Sequence, residues 1–114
     1  MYEFQLTGKI NNVIQNLCWR YNFRKVNRIL LKAGAMRKIN PELMTFIFAS
    51  ISQGTPAEGA MLSVMIIPIT FKCCSCGRTW TTDDTEFLCP YCRSRDVDLL
   101  TGLEFAVDFL EVES

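Results

Sequence analysis

The sequence predicts an α+β fold: a small mixed β-sheet packed by two helices, with an inserted four-cysteine zinc ribbon. Three observations predict it. Two segments repeat apolar residues at helical spacing, and three longer segments alternate or run apolar as strands do. Between the last two of those strands lie two CxxC pairs at ribbon spacing.

Each element has its own signal. Residues 5–21 place Leu6, Ile10, Val13, Ile14, Leu17 and Tyr21 three and four apart, one apolar stripe of a first helix. Val26 to Ala33 reads as a half-buried strand, with Ile29, Leu31 and Ala33 on one face and Arg28 and Lys32 on the other, closed by Gly34. Asn40-Pro41-Glu42 opens a second helix: Asn caps, Pro suits the first turn, and Glu sits at the positive dipole end. Leu43, Met44, Ile47, Phe48 and Ile51 form its apolar face, and Gly54 followed by Pro56 ends it. Met61 to Ile69 is apolar on both faces and reads as a central strand covered by helices, with Pro68 at its end or on an unpaired edge. Arg78 to Thr82 is a short β segment, Asp83-Asp84 a turn, and Leu103 to Val112 the last strand. Residues 1–70 and 99–114 therefore form a main α+β domain, and residues 71–98 a metal-held lobe with Trp80 and Phe87 as its small core.

The lobe carries the chemistry. Cys73/Cys76 and Cys89/Cys92 are separated by Gly77 to Leu88, and C-x2-C, about a dozen residues, C-x2-C is zinc-ribbon spacing. Two residues between cysteines let a tight turn aim both sulfurs at one ion. Gly77 supplies the positive φ such a turn commonly needs, and Pro90 stiffens the second knuckle. Four thiolates close a tetrahedral shell, so the zinc is read as structural. Tetrahedral sulfur also suits iron, and paired disulfides are the bland alternative. Cys74 is one residue too close to Cys76 for a knuckle and is read as a bystander, and Cys18 as a packed helical residue.

Composition removes several function classes. The chain has 114 residues and no histidine, so the usual general base and catalytic-zinc ligand are missing and no enzyme is predicted. No apolar run reaches membrane-span length, the first residues do not read as a signal peptide, and reduced cysteines point to the cytoplasm. Net charge is zero but lopsided: residues 1–40 carry eight bases against Glu3, whereas the last eleven carry Glu104, Asp108, Glu111 and Glu113. Opposite charges on neighbouring strands account for this. A zinc-ribbon nucleic-acid module using the basic residues 20–38 is the sharper reading, but the lobe's own slightly acidic balance opposes phosphate binding.

Order of elements and residues together resemble the HypA/HybF family of nickel metallochaperones in [NiFe]-hydrogenase maturation, which in some organisms also serve urease. The marks are Gly34-Ala35, Pro41-Glu42, the stretch Gly54-Thr55-Pro56-Ala57-Glu58-Gly59-Ala60, Pro68, and the ribbon Cys73, Cys76, Cys89-Pro90, Cys92. The resemblance implies structural zinc on those four cysteines and transient nickel at the N-terminus, on Met1, Tyr2 and Glu3. It also implies docking to a HypB-type GTPase and delivery to the hydrogenase large-subunit precursor, with homodimerisation left open. Family sequences begin Met-His-Glu, and here Tyr2 replaces the imidazole with a phenol, a poor neutral donor at pH 7. A nickel-free adaptor that keeps the zinc-stabilised scaffold is the alternative reading. Lys32, where an acid is frequent, and Arg93, where Gly is usual, are further departures.

Overall fold

The computed structural model describes residues 2–114, and its elements run α1 (Tyr2–Tyr21), β1 (Lys25–Gly34), a 3-10 turn (Ala35–Arg37), α2 (Pro41–Ile51), β2 (Met61–Ile67), β3 (Ile69–Cys73), β4 (Thr79–Thr82), β5 (Val97–Thr101) and β6 (Phe105–Glu113). The strands form two three-stranded sheets, β2-β1-β6 and β4-β3-β5. The chain divides into two compact units. One comprises residues 1–32, 39–65 and 106–114; the other comprises residues 33–38 and 66–105.

In the first unit, α1 buries Leu6, Ile10, Ile14 and Cys18, spaced by four, with Thr7 and Asn11 beside them. Helix α2 contributes Met44, Ile47 and Phe48 to the core, and β1 contributes Val26, Ile29 and Leu31. The stripe expected on α1 is rotated. Val13 and Tyr21 are exposed, while polar Thr7 and Asn11 take places in the buried face, so a count of apolar residues aims the helix incorrectly. Thr7 satisfies its hydroxyl locally, donating to the Glu3 carbonyl at 2.5 Å. The helix ends on Asn22 at φ 57°, with the Phe23 N–H returning to the Cys18 carbonyl. Helix α2 starts as expected: Asn40 Oδ1 accepts the Leu43 N–H at 3.2 Å, with Pro41 in the first turn.

Strand β2 corrects a second expectation. It lies at the edge of its sheet with β1 in the centre, and Met61, Met65 and Ile66 are exposed. An apolar run on both faces reads as central, but β1 holds that place. Pro68 does end the strand, as its missing N–H requires. The lopsided charge is accounted for by a ladder across β1 and β6: Arg24–Glu113 at 2.7 Å, Arg28–Glu111 at 3.8 Å and Lys32–Asp108 at 3.2 Å. Three of the seven bases in residues 20–38 are thus paired with the acidic strand, so that stretch is not a continuous free basic face for nucleic acid.

The Gly54 to Ala60 stretch folds on itself. Gly54 and Gly59 take φ of 78° and 77°, Glu58 accepts the Gly54 N–H, and Thr55 donates to the Ser52 carbonyl. Its Pro56 carbonyl then accepts the Val26 N–H at 2.9 Å, fixing the start of β1. This motif is scaffold.

In the second unit, β3 pairs antiparallel with β4 and with β5, placing Phe71 opposite Trp80 and Leu99. Phe71 is fully buried, with Trp80 at 5.6 Å and Phe87 at 5.0 Å between ring centroids. The expected Trp80–Phe87 core is therefore centred on Phe71, and Phe87 is itself half out in solvent. Gly34 belongs to this unit for a steric reason: a Cβ there would collide with the Gly102 backbone carbonyl.

Candidate metal centre

Cys73 ends β3, and Cys76, Cys89 and Cys92 lie in the turns beyond it. Their four Sγ atoms all lie within 4.8 Å of one another. Two edges of the cluster are 3.6 Å, Cys73 to Cys92, and 3.7 Å, Cys76 to Cys89. A tetrahedron built on Zn–S bonds of ~2.3 Å has edges of about 3.8 Å, so the donors fit zinc in both chemistry and spacing. None of the four is in a disulfide.

The two turns that present these sulfurs have one design. The Cys73 N–H bonds the Arg78 carbonyl, and the Gly77 N–H returns to the Cys73 carbonyl at 2.9 Å. The Cys89 N–H bonds the Ser94 carbonyl, and the Arg93 N–H returns to the Cys89 carbonyl at 2.9 Å. The residue after each pair's second Cys takes positive φ, Gly77 at 78° and Arg93 at 64°. Backbone N–H groups then aim at sulfur: Cys76 to Cys73 at 3.4 Å, Tyr91 to Cys89 at 3.4 Å and Cys92 to Cys89 at 3.5 Å.

Those donors set the protonation of the sulfurs. The Cys76 N–H outweighs burial at Cys73 and holds its thiol down to about 6. At Cys89, burial works against the thiolate, but the N–H groups of Cys92 and Tyr91 prevail and the thiol is lowered. Cys92 goes the other way. The Ser94 N–H favours its thiolate, but donation to the Cys73 sulfur and burial push it up to about 12. Without a cation, some sulfurs hold protons for the others. A divalent ion displaces those protons, which makes metal affinity pH-dependent.

Cys74 is outside the cluster. Its thiol donates to Asp98 Oδ2 at 3.3 Å, and that carboxylate, with burial and nearby Asp96, pushes it up to about 11. Cys18 is buried on α1, and burial raises its thiol too.

At the other candidate site, Met1 lies outside the described residues. Tyr2 opens α1 and is exposed. Glu3 serves the scaffold, its Oε2 accepting the Asn40 N–H at 3.2 Å and so tying the start of α1 to the cap of α2. The first N–H groups of a helix are not used by its own ladder, so the backbone nitrogens that open α1 are not consumed by helix formation. Sequence reasoning had no signal for the Glu3–Asn40 link, which joins residues 37 positions apart.

The profile of a family described as hydrogenase/urease nickel incorporation, metallochaperone, HypA, matches residues 1–112. The chain belongs to the HypA family. Hydrogenase maturation factor HypA of Desulfitobacterium hafniense is 31% identical over 113 residues, 99% of each chain. That of Acidithiobacillus ferrooxidans is 32% identical over 99% of this chain and all of its own. That of Picosynechococcus is 34% identical over 98% of this chain and 99% of its own. The solution structure of the Ni metallochaperone HypA from Helicobacter pylori shares the fold at TM-score 0.70 and 16% identity, covering 98% of this chain and 97% of its own. A second HypA solution structure gives TM-score 0.73 at 17% identity, covering 98% of this chain and 96% of its own.

Proposed function

We propose that this chain is a hydrogenase maturation factor that takes up Ni(II), hands it on, and keeps its shape through a zinc ribbon. The single observation that carries the reading is the family match over residues 1–112. Zinc on Cys73, Cys76, Cys89 and Cys92 is structural, since four thiolates leave no open coordination position. The division of labour is a nickel-type domain built on α1, α2 and the β2-β1-β6 sheet, and a ribbon lobe whose sheet β4-β3-β5 extends it beyond residues 71–98.

Nickel is cargo, held by nitrogen-rich donors at the N-terminus. Backbone nitrogens there do not depend on side-chain identity, so Tyr2 weakens the site without abolishing it. The chain catalyses nothing; it works in the cytoplasm by docking to a HypB-type GTPase and to the hydrogenase large-subunit precursor, with α1 as the docking face. Trp19 and Phe4, exposed on α1, support that surface. Among the described residues no helix is long and apolar enough to cross a membrane.

Complementation tests the reading. Expressed in cells that lack their own factor of this kind, the chain restores hydrogenase activity, and added nickel improves the rescue because the site is weakened by Tyr2. No rescue at any nickel concentration, with the protein folded and zinc-loaded, overturns it in favour of a nickel-free adaptor. The substitution at position 2 is the observation that keeps that second reading in view.

A further inference from the structure

A groove of about 460 Å³ crosses the ribbon, walled by Trp80, Pro90 and Tyr91 and edged by Asp84 and Glu86. The Trp80 and Tyr91 rings stand edge-to-face, with centroids 6.5 Å apart at 76°. The Arg78 guanidinium carbon lies 4.8 Å from the Tyr91 centroid, so this aromatic wall already attracts a guanidinium. Asp84 and Glu86 enter none of the ion pairs formed among the described residues. One oxygen of Asp84 accepts the Glu86 N–H at 3.0 Å, which holds the acidic edge in place, and both residues are exposed. From Thr79 to Cys92 the chain has Asp83, Asp84 and Glu86 but no Lys or Arg. Aromatic faces beside unneutralised carboxylates suit a cation with a flat apolar body, and they repel phosphate.

We propose that this groove docks a basic, extended segment of a protein partner, seating an arginine side chain between the Trp80–Tyr91 wall and the Asp84 and Glu86 carboxylates. Arginine fits better than lysine because its planar guanidinium both stacks on the rings and forks onto a carboxylate. The inference does not rest on nickel binding, and its test uses no nickel.

The chain has two tryptophans, so a Trp19→Phe protein leaves Trp80 as the sole indole reporter. Trp19 is 85% exposed, so its replacement is expected to leave the fold intact. The zinc-loaded protein is titrated with a blocked penta-arginine peptide while Trp80 emission is followed at low and physiological salt. The expected result is a saturable change, weakened at least tenfold by Asp84→Asn with Glu86→Gln and weakened further by salt. Both substitutions are isosteric, and Asn keeps the acceptor that the Glu86 N–H uses; unchanged zinc content and circular dichroism verify folding. The same charge change made elsewhere, Glu42→Gln with Glu58→Gln, leaves the affinity unaltered. The proposal is overturned by an absent or unsaturable response, by equal binding to the groove variant, by equal loss in the control variant, or by equally tight binding of spermidine. The last result reduces the effect to bulk charge attraction.

Discussion

Gly77 and Arg93 occupy the same left-handed position of the two metal knuckles, at φ 78° and 64°, each returning its N–H to the first cysteine of its pair. One position has the residue suited to that conformation and the other does not. A non-glycine residue there costs on the order of 1–2 kcal/mol. Arg93→Gly is therefore expected to stabilise the ribbon by about 1 kcal/mol, and Gly77→Ala to destabilise it by a similar amount. No atom lies within 4 Å of a Cβ at Gly77, so that loss is backbone strain alone. Chelator competition midpoints measure both, with Arg93→Ala as the control that removes charge without relieving φ.

Replacing Cys73, Cys76, Cys89 or Cys92 by Ser is expected to release zinc and disorder the ribbon, because metal-binding energy is folding energy in so small a lobe. Cys74→Ser keeps full zinc stoichiometry, since Cys74 bonds Asp98 outside the four-sulfur cluster. The helices carry their own core of Ile10, Ile14, Met44 and Phe48, so most helical signal survives chelation. Zinc analysis and circular dichroism on the same samples check both points. Metal loss in Cys74→Ser, or a single cooperative loss of ribbon and helices, contradicts this account.

Glu113 gives the β1–β6 ladder a defined acid limb. Asn27, accepting no charge but donating a hydrogen bond, and then Arg24 and Lys25 hold its carboxyl below the ordinary carboxylate value. A depressed folded value means the contribution is present above about pH 4.3, the unfolded value. It is lost as pH falls from there through the folded one. Glu113→Gln lowers stability at neutral pH and makes the acid limb shallower, with the two proteins converging at low pH. Denaturant midpoints from pH 7 to pH 3 measure it; an unchanged slope rules out the linkage.

Much of this was legible in the residues. The Asn40-Pro41-Glu42 start, the Pro68 break and the four cysteines each carry a local rule that the fold does not override. The charge imbalance also resolves as opposite charges on neighbouring strands, down to Arg24 and Glu113. What stayed hidden depends on tertiary context. Asn11 and Thr7 sit in the buried face of α1 because the helix is rotated against its partners, which an apolar count does not register. Strand β2 is apolar yet lies at an edge, because strand order is a property of the whole sheet. Strands β3 and β5 have weak signals of their own: β3 is cut from β2 by a single proline, and β5 is only five residues long. At the metal centre the sulfurs and the N–H groups behind each pair's first cysteine follow from the knuckle spacing, and Arg93 stands out where Gly is usual; its positive φ and the bond of Cys74 to Asp98 depend on the folded loop.

On the proposed reading, nickel is held mainly by backbone nitrogens at the N-terminus, and the Tyr2 phenol takes the place of the imidazole that the family resemblance implies. The most direct measurement is calorimetric Ni(II) titration of zinc-loaded protein with a free, unmodified N-terminus, beside Tyr2→His and an N-acetylated sample. Loss of one good nitrogen donor is expected to weaken affinity by roughly 10–100-fold, by analogy with the cost of disturbing supporting groups at metal sites. The predicted result is weak binding by the unaltered chain, recovery of that factor in Tyr2→His with zinc content unchanged, and no binding after acetylation. Tight binding by the unaltered chain that survives acetylation, or no gain from Tyr2→His, contradicts it.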